Sequence, residues 1–168
     1  MNNLLWEDQL KQQIPNLRRY ARALTQNTAS ADDLVQDCLE RAWDKRENWK
    51  DGSNVRAWLF TIMHNIFING IRRQKIQQEY LSKTIELSIE NSEEQLFAMR
   101  DLTACLAKLK PEFRETVLLV GLENLSYKET ADITGVPIGT VMSRLSRGRE
   151  ELRQLMTRDA KPKLVSIK

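Results

Sequence analysis

Apolar residues recur at helical spacing along most of the chain, and no segment alternates apolar and polar residues as a half-buried strand does. This pattern predicts an all-α protein. We expect helices over 4–26, from Ser30 into the mid-forties, over 54–78, from near residue 94 to Lys110 and over 112–123, with a further pair after them. Six glycines and four prolines leave few breaks inside these segments.

The helical period is lost in the middle of the chain, where the sequence becomes acidic and serine-rich. We interpret this stretch, 81–95, as a flexible linker between two small helical domains. The N-terminal domain then covers 1–80 and the C-terminal domain 96–158. The remaining residues, 159–168, are predicted to form a loosely ordered tail.

The first predicted helix has an apolar face that we expect to be buried: Leu17, Tyr20, Ala21 and Leu24. Three arginines lie on its other side, Arg18, Arg19 and Arg22. We interpret these arginines as a solvated face rather than a site. Pro15 either kinks this helix or marks its start.

The second predicted helix begins at Ser30, a good N-cap residue. Its buried face is predicted to contain Leu34, Val35, Cys38, Leu39, Ala42 and Trp43. On the other side four acidic residues recur at steps of four, three and four, and Gln36 borders them: Asp33, Asp37, Glu40 and Asp44. Like charges at these spacings repel by about 0.2–0.5 kcal/mol per pair. The residues alone support docking on a basic partner and simple solvation equally.

The third predicted helix presents a polar side opposite its apolar stripe, consisting of Thr61, His64, Asn65, Ile68, Asn69 and Arg72. Amides and hydroxyls can hydrogen-bond to nucleic-acid bases, and the terminal cations can hold phosphates. The alternative is an exposed helix face without a ligand.

The stretch from Ser126 to Arg153 carries the signals of a helix-turn-helix. Ser126 and Glu129 have the spacing of a capping box, which predicts a short helix from Tyr127 to about Thr134. Gly135 suits the left-handed residue after a helix, and Pro137 suits the first turn of the next helix.

In the last helix, Val141, Leu145 and Leu152 share an inward face. An outward polar and cationic stripe contains Thr140, Ser143, Arg144 and Arg147. A helix of this kind fits the major groove of DNA. The alternative is an ordinary αα-hairpin with a solvated basic face.

The composition adds limits to this picture. Of 168 residues, 26 are basic and 23 acidic, and the basic excess lies at the two ends, which favours a polyanionic partner without establishing one.

Two separated cysteines and one histidine predict no zinc site, no disulfide framework and no cofactor. Both cysteines are predicted to be small core residues in a reducing compartment. The N-terminus does not have the pattern of a secretion signal, and no apolar stretch is long enough to span a bilayer, so we expect a cytoplasmic protein.

Three motifs in this order resemble the bacterial RNA polymerase sigma factors: DLVQDCLERAW (33–43), RAWLFTIMHNIFINGIRR (56–73) and LSYKETADITGVPIGTVMSRLSRGREEL (125–152). The two-domain form is similar to the extracytoplasmic-function (ECF) group, and the resemblance covers nearly the whole chain. It implies no catalysis, but a factor that binds core RNA polymerase, directs it to promoters and helps to open promoter DNA under the control of an anti-sigma factor.

The resemblance also assigns residues to partners. Residues 33–46 contain the segment that docks on the clamp helices of the largest polymerase subunit, with these contacts: Asp33, Gln36, Asp37, Glu40 and Asp44. The third helix and the loop before it match the region that captures and opens the minus-ten element, with these candidates: Trp49, Asn54, Arg56, Thr61, His64, Asn65, Asn69 and Arg72. The helix-turn-helix, 128–147, matches the module that reads the minus-thirty-five element, with these candidates: Lys128, Thr140, Ser143, Arg144 and Arg147.

Three features set limits on the resemblance. Gly148 lies inside the last helix where the family commonly has alanine, and this glycine weakens the helix by about 0.5–1 kcal/mol. Lys128 and Thr130 also depart from the family pattern. A plain DNA-binding repressor or a response-regulator output module is one alternative, but it has no use for the acidic side of the second helix or the polar side of the third. A metal-dependent nuclease using Asp32, Asp33 and Asp37 is a weaker one.

Overall fold

The computed structural model describes residues 3–49, 53–81 and 97–159, which contain α-helices, one 3-10 turn and no strand. The α-helices in these ranges are α1 Asn3–Thr25, α2 Thr28–Asp44, α3 Val55–Leu81, α4 Phe97–Lys108, α5 Pro111–Gly121, α6 Tyr127–Thr134 and α7 Ile138–Asp159. The predicted all-α class, ending in a helix-turn-helix, is therefore confirmed. Nearly all of the predicted tail and of the predicted linker lie outside the described residues, except Asp159 and Leu81, which end α7 and α3.

Helices α1, α2 and α3 form an N-terminal module in which α2 packs against both of the others. Its largest fully buried side chains are Trp6, Leu17, Tyr20, Leu24, Leu59, Phe60 and Met63. The Tyr20 and Phe60 rings meet edge to face, with their centroids 5.0 Å apart. The predicted apolar face of the first helix is confirmed, and Pro15 lies inside α1 rather than at its start.

The predicted start of the second helix is wrong by about one turn. Helix α2 begins at Thr28, and Asn27 is its N-cap in extended backbone conformation. The side-chain oxygen of Asn27 accepts a hydrogen bond from the Ser30 N–H at 2.9 Å. Asparagine caps a helix as well as serine does, so the earlier start adds a turn of helix without losing a cap.

The buried face of α2 also differs from the prediction at one position. Trp43 is 46% exposed, whereas the neighbouring Ala42 is fully buried. The Trp43 ring packs on Trp6 at a centroid distance of 5.6 Å, and the Arg46 guanidinium lies 5.5 Å from its centroid. The small alanine fills the core position, and the large ring covers the edge of the module.

Helices α4 to α7 form the C-terminal module, in which α7 packs against the other three. Both hydrogen bonds of the predicted capping box are present: the Ser126 hydroxyl accepts from the Glu129 N–H, and the Glu129 carboxylate accepts from the Ser126 N–H. The Glu129 carboxylate also accepts from the Ser126 hydroxyl at 2.7 Å, and the bonds from the Ser126 N–H and hydroxyl together lower the pKa of Glu129. Gly135 ends α6 with a φ of 67°, as predicted.

Helix α7 begins at Ile138, one residue after Pro137. The carbonyl of Pro137 accepts hydrogen bonds from the N–H groups of Thr140 and Val141 at 2.9 and 3.1 Å. Val141 and Leu145 are buried as predicted, and Leu152 is partly buried. The inward face of the last helix is thus confirmed.

Gly148 has a packing role that the sequence did not indicate. A Cβ atom at this position would lie 2.9 Å from Val117 Cγ2 and 3.3 Å from both the Cβ and the carbonyl oxygen of Phe113. Valine has little side-chain freedom, and the Phe113 oxygen belongs to the backbone, so neither neighbour can easily move away. The glycine therefore allows α5 and α7 to cross closely.

We expect Gly148→Ala to lower the free energy of unfolding by about 1–2 kcal/mol, because overpacking outweighs a gain in helix propensity of about 0.5–1 kcal/mol. Gly139→Ala is the matched control, since a Cβ in that first turn of α7 would meet no atom within 4 Å. Urea unfolding measures both variants. A midpoint for Gly148→Ala at or above that of the wild type would contradict the close crossing.

Cys38 and Cys105 are buried free thiols. The Cys38 thiol donates to the Leu59 carbonyl oxygen at 3.4 Å, which links α2 to α3. Burial raises the pKa of Cys38 to about 12, although the nearby Arg41 acts in the opposite direction. At neutral pH this side chain is therefore a protonated core group, in agreement with the predicted role.

Candidate functional site

The acidic side of α2 is fully presented to solvent. Asp33, Asp37, Glu40 and Asp44, the acidic row, are all exposed, and so is Gln36 beside them. Gln36 donates to the Glu40 carboxylate at 3.0 Å. Among the side chains that the structure describes, no lysine or arginine forms an ion pair with the row. Its negative charge is thus available to a partner.

The polar side chains of α3 differ in their exposure to solvent. Asn65, Asn69 and Arg72 are exposed toward the second half of the helix. Thr61 is half-buried, and its hydroxyl donates to the Ala57 carbonyl at 2.9 Å. Trp49, in the loop before α3, is 6% exposed and belongs to the core of the N-terminal module.

Three predicted minus-ten residues near the start of α3 contact the C-terminal module. The Asn54 amide donates to the Glu129 carboxylate at 3.4 Å, while its oxygen accepts from the Ala57 N–H. Arg56 donates to Glu123, and the Nδ1 atom of His64 lies 2.7 Å from a carboxylate oxygen of Glu115. These side chains therefore lie at an interface between the two modules.

Glu123, just after α5, is the centre of this interface. Its side chain has no exposed surface, and its carboxylate lies between two guanidinium groups. Arg19 of α1 donates to one carboxylate oxygen through Nε at 3.2 Å and Nη2 at 2.9 Å. Arg56 donates to the other oxygen at 2.9 Å and also to the Glu123 backbone carbonyl. Arg19 is exposed, as the prediction of a solvated face requires, but its guanidinium also pairs with this buried carboxylate.

A second buried carboxylate lies close by. Glu115 is 2% exposed and pairs with His64, whose side chain is 13% exposed. Burial raises the pKa of Tyr20, and the negative charges of Glu115 and Glu123 raise it further. Tyr20 is therefore a neutral phenol beneath the polar interface.

Arg114 forms a second type of connection between the modules. Its guanidinium donates to the carbonyls of Leu106, Ala107 and Leu109 at the end of α4, at 2.7, 2.7 and 3.1 Å. It also donates to the Leu24 carbonyl at the end of α1, at 2.9 Å. Burial lowers the pKa of Arg114. One cation thus satisfies the carbonyl ends of helices from both modules.

The predicted DNA-reading face of the helix-turn-helix is largely open. Lys128, Ser143 and Arg147 are exposed, whereas Thr140 and Arg144 are half-buried. The Ser143 hydroxyl donates to the Thr140 carbonyl at 3.0 Å. No described acidic side chain pairs with Lys128, Arg144 or Arg147.

Two family models match the two modules separately. Residues 10–64 match the model described as the Sigma2 domain of PhyR, and residues 99–152 match Sigma-70, region 4. The chain is 34% identical over 151 residues to the ECF RNA polymerase sigma factor EcfG of Rhodopseudomonas palustris, covering 89% of this chain and 83% of that protein. The chain belongs to the ECF RNA polymerase sigma factors. This sigma factor therefore directs RNA polymerase to promoters and acts in transcription initiation.

Other relatives agree with this assignment. This ECF sigma factor is 31% identical over 159 residues to the RNA polymerase sigma factor YlaC of Bacillus subtilis, covering 90% of this chain and 92% of that protein. It superposes on the sigma factor RpoE of Bartonella quintana, solved in complex with the anti-sigma factor NepR, with a TM-score of 0.82 and 34% identity over 91% of this chain and 97% of that one. CnrH, solved with the cytosolic domain of CnrY, shares the fold at a TM-score of 0.70 and 23% identity, over 95% of this chain and 92% of CnrH.

No described helix of this sigma factor is long and apolar enough to cross a membrane. Among the described residues, no group of three histidine, cysteine or acidic side chains could hold a metal ion. This includes the three aspartates considered for a nuclease site, Asp32, Asp33 and Asp37.

The sequence interpretation missed Glu115, Glu123 and Arg114 of this sigma factor. Each is charged and lies on or next to a short amphipathic helix, where charge ordinarily indicates solvent exposure. One signal was available: Glu115 lies within the run of apolar positions from Phe113 to Val120 and therefore on its inward side. The arginine and histidine partners are distant in sequence and gave no signal.

Proposed function

We propose that this ECF sigma factor binds core RNA polymerase through the acidic row and reads promoter DNA with two separate surfaces. The single observation that carries the proposal is the acidic row itself. A side of α2 about three turns long carries four carboxylates, and among the described side chains no cation pairs with them. A basic helical surface, such as the clamp helices of the largest polymerase subunit, would relieve their mutual repulsion.

The proposed minus-ten surface is the polar side of α3 with the loop before it. Its exposed end carries Asn65, Asn69 and Arg72, which combine base-edge hydrogen bonding with phosphate attraction. Asn54, Arg56, Thr61 and His64 complete the proposed surface. Trp49, the remaining candidate, is buried in the core of the N-terminal module and could support this surface but not face DNA in this arrangement of the modules. Capture of unstacked bases here would favour melted DNA, because only the open duplex offers them.

The proposed minus-thirty-five surface is the outward side of α7 with Lys128 of α6. α6 supports α7 as the first helix of a helix-turn-helix supports its recognition helix. Thr140, Ser143, Arg144 and Arg147 would contact base edges or phosphates. The chain itself catalyses no bond-breaking step in this proposal, and it works in the cytoplasm, where RNA polymerase transcribes the genome.

We expect Arg144→Ala to weaken binding to a cognate promoter by about 1–3 kcal/mol, roughly fivefold to 150-fold, if the guanidinium makes a bidentate guanine contact. Fluorescence anisotropy with the holoenzyme on cognate and base-substituted duplexes measures the loss. An equal loss on all sequences would identify Arg144 as a phosphate contact instead. Arg149→Ala, exposed on the same helix outside the proposed stripe, is the control.

An anti-sigma protein is the proposed regulator. The support comes from the relative RpoE, which was solved bound to the anti-sigma factor NepR and superposes along nearly its full length. A regulator of this kind would inhibit transcription in proportion to its amount, and an excess of the sigma factor would restore it.

In vitro transcription tests the proposed function most directly. Core enzyme with this chain on a genomic library should start RNA at a limited set of sites that share two upstream elements. Core enzyme alone is the control. If no template gave a chain-dependent start, the proposal would be wrong.

A further inference from the structure

The polar interface between the modules uses side chains that the proposed minus-ten surface needs for DNA. Asn54, Arg56 and His64 each contact a carboxylate from the C-terminal module: Glu129, Glu123 and Glu115, respectively. In this arrangement the hydrogen-bond donors of the start of α3 are directed at protein carboxylates. A nucleic-acid strand cannot occupy the same donors at the same time.

Glu123 makes the strongest of these contacts. Its carboxylate is fully buried and accepts from Arg19 on one side and Arg56 on the other, so two helices of the N-terminal module are held by one acid of the C-terminal module. A fully buried carboxylate is stable only when it is paired in this way. Removal of the N-terminal module would leave this charge without its partners.

The geometry of a promoter requires the modules to separate. The minus-ten and minus-thirty-five elements lie about two to three helical turns apart, and one turn of DNA is about 34–36 Å. Modules in direct contact through α1 with α5 and α3 with α6 cannot read both elements together. The closed arrangement is also the one in which the chain superposes on the relative solved with its anti-sigma factor.

We infer that Glu123 is an internal clamp, which holds the free sigma factor closed and masks the start of α3 with carboxylates in place of DNA. Glu115 and Glu129 extend the mask over His64 and Asn54. The inference rests on the proposed function for the masking, whereas the clamp itself is a property of the free chain. Opening then precedes promoter capture, because DNA has to displace Glu123 from Arg56.

The clamp is tested by measuring the distance between the modules in the free protein. Spin labels on Lys11→Cys and Gln154→Cys, both exposed, report the separation of α1 and α7 by pulsed electron resonance. Cys38 and Cys105 are buried, so they should resist labelling. Glu123→Gln keeps the shape of the side chain and removes its charge. Glu112→Gln, on α5 and without a described ion pair, is the matched control.

We expect wild type and Glu112→Gln to give one short distance and Glu123→Gln to shift toward longer distances, with the open to closed ratio raised about tenfold to hundredfold. Equal distance distributions for all three proteins would overturn the clamp, whatever the proposed function. Arg19→Gln, whose guanidinium is half exposed, should give a smaller shift in the same direction. This second variant decides the matter if Glu123→Gln does not fold.

The mask is tested separately by anisotropy with a fluorescent single-stranded oligothymidylate of twenty nucleotides. Free Glu123→Gln should bind it about tenfold more tightly than the wild type at the same salt concentration, because Arg19 and Arg56 gain access to phosphates. Glu112→Gln should equal the wild type. If Glu123→Gln opened without binding the oligonucleotide more tightly, the mask would be wrong and the clamp would still be supported.

Discussion

The double charge reversal Asp33→Arg with Asp37→Arg should abolish binding to core RNA polymerase under conditions in which the wild type binds completely. We expect the dissociation constant to rise by at least about a hundredfold, equivalent to about 2.8 kcal/mol or more. Pull-down with tagged core enzyme, followed by titration of labelled sigma factor, measures it.

The expected effect is large because each substitution both removes an attraction and adds a repulsion. It removes two attractive contacts with a basic surface and places two like charges against that surface, and like-charge contacts at an interface cost several kcal/mol. The fold should tolerate the change, because both side chains are exposed and neither makes a described hydrogen bond or ion pair. A loss of core binding is therefore not a loss of folding.

Asp8→Arg with Glu47→Arg is the matched control. Both residues are exposed acids of the N-terminal module outside α2, and the pair changes the net charge by the same amount. The control should retain core binding. If the two double variants lost affinity equally, the effect would come from overall charge and the acidic row would have no specific role.

Arg114→Met should lower the free energy of unfolding by about 2–4 kcal/mol, a fall in Tm of roughly 4–16 °C for a chain of this size. Methionine preserves most of the aliphatic stem and removes the guanidinium. The four carbonyls that it serves then lose a charged donor: two on α4, that of Leu109 just after α4 and that of Leu24 on α1. Hydrogen bonds to charged groups contribute about 1.5–3 kcal/mol, and part of the loss is recovered by water at the helix ends.

Arg22→Met is the control for this effect, since Arg22 is exposed on α1 and its guanidinium makes no described hydrogen bond. Its unfolding free energy should stay within about 0.5 kcal/mol of the wild type. Urea unfolding of the three proteins gives the comparison. If the urea unfolding transitions of Arg114→Met and Arg22→Met coincided, the helix-end carbonyls that Arg114 contacts would not depend on its guanidinium.

The parts of the fold that could be predicted from the sequence are those whose causes are local. Ser126, Glu129 and Gly135 form a capping box and a left-handed cap within ten residues of one another, and each lies where its chemistry indicated. The acidic row is likewise a property of one helix and its period. Local spacing determines such features, so tertiary packing does not alter them.

The parts that could not be predicted depend on contacts between distant segments. Glu123 is buried because Arg19 and Arg56 approach it from helices 104 and 67 positions away. Gly148 was interpreted as a weak point of a helix, and only the crossing of α5 and α7 reveals why a larger residue does not fit. Periodicity describes one helix at a time and contains no information on which helices meet.

The buried thiol of Cys38 has a consequence for how signals reach this sigma factor. Because burial raises the pKa of Cys38 to about 12, its thiolate is scarce at pH 7, and the thiolate is the form that reacts with peroxides. Oxidative stress therefore finds no sensor at this position. A redox signal has to act on this sigma factor at a group other than Cys38 or be transmitted to it by another molecule.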